Sequence, residues 1–173
     1  MTVTEPEVWL RGPIEGVAPL LQPVAHGLLQ CGNEVRETLP RLTVEQLWTR
    51  PSGAAPAGFH ARHAMGSLDR LFTYARGEQL SREQLATLAA EKEPDPSLDA
   101  ARLVGAFDLA VERALAQLRA TGERTLLEPR EVGRGRLPST VLGLLFHATE
   151  HTQRHVGQLV TTTLVVRGAQ RKA

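Results

Sequence analysis

Apolar residues return every three or four positions through most of this chain, a period that commits it to amphipathic helices. Val24, Leu28, Cys31, Val35 and Leu39 fall on one stripe, because residues three and four apart share a helix face. Pro19 and Pro23 start the regular part of this helix after Pro23 or bend it there. A second long helix is predicted from about Ala57 to Arg76, where Gly77 supplies the C-terminal stop. A third opens at Asp95 and Pro96, an N-cap followed by proline in the first turn, and reaches about Ala120. Its core stripe is Val104, Phe107, Val111, Leu115 and Leu118. A fourth begins near Pro138, Ser139 and Thr140 and runs to about Val166, with Gly168 beyond its end.

The connections carry their own signals. Thr43 with Gln46, and Ser81 with Gln84, have the spacing of capping boxes, so each opens a short helix. RPSGAAPAG at 50–58 is dense in proline and glycine and reads as a loop. GERTLLEPREVGRGRL at 122–137 has no sustained period and reads as a loop with room for an extended piece. Four long helices with longer second and third connections make an all-α four-helix bundle the expected fold. The bundle should occupy residues 14–168, between an N-terminal arm at 1–13 and a basic C-terminal tail at 169–173. Trp9 and Trp48 are expected to be packing residues.

At 173 residues, 42% hydrophobic and 23% charged, the chain can bury one core and needs no second domain. Twenty Lys and Arg against 19 Asp and Glu give a net charge of +1, with no basic strip for phosphate binding, which argues against a nucleic-acid partner. No apolar run approaches the roughly 18 to 20 residues of a membrane span. The lone Cys31 cannot form an internal disulfide, and the N-terminus lacks a signal-peptide pattern, so a cytoplasmic location is expected.

Six histidines stand at positions 26, 60, 63, 147, 151 and 155. Three of them, in HATEHTQRH, recur every four residues and point the same way from one helix. His147 and His155 are separated by about 12 Å of helix axis, against Zn–N bonds of about 2.0–2.1 Å. Either His147 with His151 or His151 with His155 can therefore share an ion, but not all three. A third ligand must come from another helix, where His60 and His63 are available.

The segment LLFHATEHTQRHVGQL resembles the last-helix signature of DinB-like proteins, an H-x3-H followed by x-Gly-Gln, here His151, His155, Gly157 and Gln158. FHARHAMGSLDRLFTYARG resembles the second helix of the same family, with His63 at the histidine position, and the similarity extends through EQLWTRP over nearly the whole chain. The resemblance implies a bundle of up-down-down-up topology, a divalent metal held by His63, His151 and His155, and a homodimer. It also implies thiol-dependent transferases or isomerases, or hydrolases, among the relatives.

Three neutral imidazoles leave the charge of a divalent ion uncompensated, and such an ion lowers the pKa of a water ligand to roughly 7 and favours a thiolate in the same way. Cys31 lies on an apolar stripe and is a poor nucleophile, so any thiol would be a low-molecular-weight cofactor. Gln158 and His147 could finish the pocket, and Arg62 and Arg154 could attract an anion, though solvated or paired arginines are the commoner case. Asp69 and Arg70 read as a local charge pair or a bond to a neighbouring helix end. The favoured reading is a metal-dependent transferase or hydrolase with Zn or Ni, or else Fe or Mn, in the site. Its competitors are a metal-binding protein without turnover and a dimeric scaffold whose histidines only satisfy a polar core.

Overall fold

The computed structural model describes residues 5–170, without the side chain of Gln170. Arg171 and Lys172 of the expected basic tail lie outside the described residues. In chain order the elements are α1 (Gln22–Thr38), α2 (Val44–Trp48), α3 (Ala57–Ala75), α4 (Arg82–Ala90), α5 (Ala100–Ala120), β1 (Pro129–Val132), β2 (Leu137–Thr140) and α6 (Val141–Gln170). The four long helices α1, α3, α5 and α6 form the bundle, in which α5 and α6 each pack against both α1 and α3.

Side-chain pairs at the two ends of each contact set the directions. Arg36 near the end of α1 pairs with Asp108 in the first half of α5, whereas Arg119 near the end of α5 reaches the Glu15 carbonyl before α1. These helices are antiparallel. Gln117 of α5 bonds Arg76 and the Phe72 carbonyl at the end of α3, and Arg102 shares a groove with Arg62 at the start of α3, so α3 and α5 run together. His60 meets His155 and His63 meets His151, so α6 opposes α3. The topology is up-down-down-up. The parallel neighbours α3 and α5 require a crossing of the whole bundle, which the segment bearing α4 provides.

Local chemistry explains most element ends. Both capping boxes form, Thr43 with Gln46 at α2 and Ser81 with Gln84 at α4. Gly77, at φ 81°, ends α3 in a Schellman arrangement, its N–H bonding the Tyr74 carbonyl while the Glu78 N–H bonds that of Thr73. The core joins Leu21, Leu28, Val35, Leu68, Phe107, Leu118, Leu145 and Leu159 with the small residues Ala57, Ala61, Ala64 and Ala148, which let α3 and α6 approach closely.

Several expectations require correction. The third long helix starts at Ala100 rather than Pro96, because Asp99 caps it by accepting from the Arg102 N–H, while Asp95 is used in a turn with Ser97. With that phase Leu103 is fully buried and Val104 only partly. Ser139 and Pro138 belong not to a helix start but to an antiparallel hairpin, with Arg130 opposite Ser139, and Thr140 caps α6 through the Gly143 N–H. The last helix continues through Gly168 to Gln170, since an interior glycine costs only about 1 kcal/mol. Trp9 is 61% exposed and bonds Glu7, so it is not a packing residue, whereas Trp48 lies against Gly58. Within the expected arm, Val8 is buried against α1 and its N–H bonds Gln30.

Candidate metal centre

The antiparallel contact of α3 and α6 brings His63, His151 and His155 together, with one ligand nitrogen from each lying within 4.8 Å of the others. His63 Nε2 is 3.0 Å from His151 Nε2. Ring centroids are 4.5 Å apart for His63 and His155 and 4.6 Å for His151 and His155. A tetrahedral ion with Zn–N bonds of about 2.0–2.1 Å spaces its nitrogens by roughly 3.3 Å. The three rings are thus near enough to share one divalent ion after small side-chain shifts.

The other histidines take distinct places. His60, one turn before His63, bonds through Nδ1 to Nδ1 of His155 at 3.1 Å. His147 lies one turn before His151 with a ring separation of 5.6 Å, and its Nδ1 faces Glu150 at 3.4 Å. His26 stands apart, donating from Nε2 to the Gly12 carbonyl.

Burial favours the neutral form of three histidines, His60, His151 and His155. Burial, followed by the charges of His63, His151, His60 and Arg154, pushes His155 down to about 4. Burial and then the neighbouring His63 and His147 lower His151 from its ordinary value, and burial followed by His63 lowers His60. Neutral imidazoles are the form that binds a cation.

Glu91 is the residue that sequence reasoning missed. It follows α4 directly, is 2% exposed, and places Oε2 at 2.7 Å from His63 Nδ1 and Oε1 at 2.5 Å from Arg70 Nη1. Burial alone would raise its carboxyl, but hydrogen bonds from His63 and Arg70, with their charge, outweigh it and hold Glu91 below the usual range. Its sequence surroundings, AAEKEPDP, look like a solvated helix end, and no local signal distinguishes it from Glu93.

Arg62 and Arg154 take the commoner, paired places rather than standing free for an anion. Arg62 donates to the Glu93 carbonyl and lies over the Trp48 ring, and Arg154 pairs with Glu150. Of the two readings of Asp69 and Arg70, the bond to a neighbouring helix end holds: Asp69 accepts from Gln84 at the start of α4, and Arg70 turns inward to Glu91 just past its end. Gln158 is exposed, and none of the hydrogen bonds among the described residues of the cluster reaches it. A cavity of about 290 Å³ opens beside His63 and His151, walled by Leu71, Tyr74, Leu80 and Leu88.

Fold and site together define a helical bundle with a clustered, three-histidine centre on two facing helices. The DinB superfamily model matches residues 28–159, and the chain belongs to that superfamily. Among solved structures, a conserved protein from Enterococcus faecalis is similar at a TM-score of 0.68 and 20% identity, covering 88% of this chain and 99% of that one. YfiT from Bacillus subtilis, described as a probable metal-dependent hydrolase with an unusual four-helix bundle topology, aligns at a TM-score of 0.49 and 18% identity over 86% of this chain and 90% of its own. No functionally curated protein matches. Among the described residues, no helix is long and apolar enough to cross a membrane.

Proposed function

We propose that this protein is a metal-dependent hydrolase or transferase whose divalent ion, Zn or Ni before Fe or Mn, is held by His63, His151 and His155. The observation that carries the reading is the convergence of three imidazoles beside a cavity of about 290 Å³. Bound there with no carboxylate among its ligands, the ion supplies enough positive charge to make a nucleophile of water or a small thiol near neutral pH.

The chain's own residues perform the remaining work. His151 and His155 stay neutral because burial and neighbouring histidines disfavour their protonation. Leu71, Leu80 and Leu88 give the open cavity an apolar wall that accepts the carbon skeleton of a substrate. His147, on the same cavity and half-exposed, is placed to exchange a proton between the site and solvent. Cys31 takes no part, being buried in the core with its thiol pushed up to about 12.

The decisive experiment is elemental analysis of protein purified without a nickel column, followed by assay of stripped and reloaded samples on small esters, amides and thiol-transfer substrates. One equivalent of a divalent metal, with activity that leaves and returns with it, is expected. Absence of bound metal, and no uptake on titration, would overturn the reading. Family membership also supports pairing of two copies, and light scattering that gives only monomer at micromolar concentration would overturn the pairing.

A further inference from the structure

We infer that Glu91 is a positioning residue, which holds His63 with its proton on Nδ1 so that Nε2 faces His151 and His155. The inference deepens the metal reading above and rests on it for its purpose, but the hydrogen bond itself can be tested without metal.

A carboxylate can only accept, so the 2.7 Å contact requires a proton on Nδ1 of His63. In a neutral imidazole the lone pair then belongs to Nε2, the atom 3.0 Å from His151 Nε2. Free imidazole side chains favour the opposite tautomer, so the surroundings must impose this one. They do so from several directions. Arg70 holds the second carboxylate oxygen at 2.5 Å and places Nη2 at 3.4 Å from the first, preventing Glu91 from turning away. Arg70 Nη2 also donates to Ser67 Oγ at 3.2 Å, leaving the Ser67 hydroxyl free to address His63 Nε2 at 3.3 Å. Phe59 stacks on the His63 ring, 5.4 Å between centroids and 10° from coplanar.

Two further features show that the fold accommodates this contact specifically. Gly66 lacks the Cβ that would overlap the Glu91 carboxylate and crowd Arg70. The nine residues of α4 bury no side chain, yet Glu91 immediately after them is among the most buried residues of the chain. Among the bonds that hold this segment to α3, the buried one is made by the side chain that reaches His63. A buried ion pair of Glu91 with Arg70 alone would be weak evidence for any role beyond structure. The division of the carboxylate between Arg70 and a histidine of the cluster is what assigns the role, since histidine ligands characteristically donate their second nitrogen to such a group.

The test combines long-range ¹⁵N–¹H spectra of the imidazoles in metal-free, full-length protein with zinc titration of the same samples. The native protein should show His63 in the Nδ1–H form. Glu91→Ala should move His63 to the Nε2–H form and weaken zinc binding about 10- to 100-fold. Glu91→Gln retains an oxygen that can accept the same bond; it should keep the native tautomer, and it stands in should Glu91→Ala fail to fold. Unchanged His63 tautomer and zinc affinity in a folded Glu91→Ala protein that merely melts earlier would overturn the inference, as would the Nε2–H form in the native protein. Native protein that takes up no zinc would overturn the metal reading instead, and the tautomer would still decide the part played by Glu91.

Discussion

His63 on α3 and Glu91 at the end of α4 meet at 2.7 Å although they are 28 residues apart, and this contact ties the histidine cluster to the segment that crosses the bundle. It also makes the cluster asymmetric. His63 is oriented by a carboxylate and His155 by another histidine, His60 at 3.1 Å, whereas the nearest acidic group to His147, Glu150, is exposed and shared with Arg154.

That asymmetry ranks the histidine substitutions. Alanine at His63, His151 or His155 should each abolish most metal uptake at saturating metal, because each removes a nitrogen from the group that converges. His147→Ala should leave uptake in place. His60→Ala should retain uptake near saturation but weaken it about 10- to 100-fold at limiting metal, because His155 loses its orienting partner. Metal content by mass spectrometry of each variant checks the order; loss in His147→Ala with retention in His155→Ala would move the centre one turn earlier on α6.

Metal should stabilise the fold, since a ligand bound only by the native state adds RT ln(1 + [L]/Kd), about 2.7 kcal/mol at 100 times Kd. For a domain of this size that corresponds to a rise of about 5–10 °C in Tm. Scanning calorimetry before and after chelation, and again after adding zinc, measures it. An unchanged Tm would favour histidines that serve only to satisfy a polar core.

Gly66→Ala should disturb the centre from outside the cluster. Its new Cβ would overlap the Glu91 carboxylate, which is pinned by both His63 and Arg70 and has no free direction in which to retreat. A loss of about 1–3 kcal/mol is the usual cost of such overpacking, and zinc affinity should fall with it. Urea denaturation together with zinc titration tests this, and a neutral outcome in both would mean that Glu91 is less constrained than its contacts imply.

Zinc should slow amide exchange in α4. That helix buries none of its own side chains and is held by Glu91, by Gln84 bonding Asp69 and Thr73, and by Arg62 bonding the Glu93 carbonyl. Fixing His63 fixes Glu91, and with it the helix end. Hydrogen exchange read by mass spectrometry over residues 78–98 should show protection on zinc addition, and the protection should vanish in Glu91→Ala. Equal protection in both proteins would contradict the coupling.

Cys31 should be inert in the native state, because burial and then the negative charge of Glu34 push its thiol up to about 12. An unfolded thiol titrates near about 8.5. Below that pH both states carry the proton, and above it only the unfolded state ionises, so stability should decline as pH rises from about 9 towards 12. Cys31→Ala should flatten this part of the curve while lowering stability at neutral pH through the cavity it leaves. Rapid alkylation of native protein at pH 8 would contradict the burial.

Period, caps and turns are set within a few residues, so the helices were legible in the sequence. The stripe from Val24 to Leu39, both capping boxes and the stop at Gly77 depend on neighbours three to six positions away, as does the common face of His147, His151 and His155. The start of α5 reads as Asp95 in the sequence because a cap and a proline there carry a complete local signal, whereas the later start at Asp99 accompanies the packing of Leu103 and Phe107. The hairpin at 129–140 was legible only as room for an extended piece in 122–137, because its strands are short, contain prolines and bury little. The relative places of His60 and His63 were decided only by the antiparallel setting of α3 against α6, which brings His60 to His155 and His63 within reach of both His151 and His155. Glu91 belongs wholly to the tertiary structure: a carboxylate at a polar helix end becomes a partner of His63 only when the crossing segment is folded onto α3, a relationship across 28 residues that no local pattern encodes.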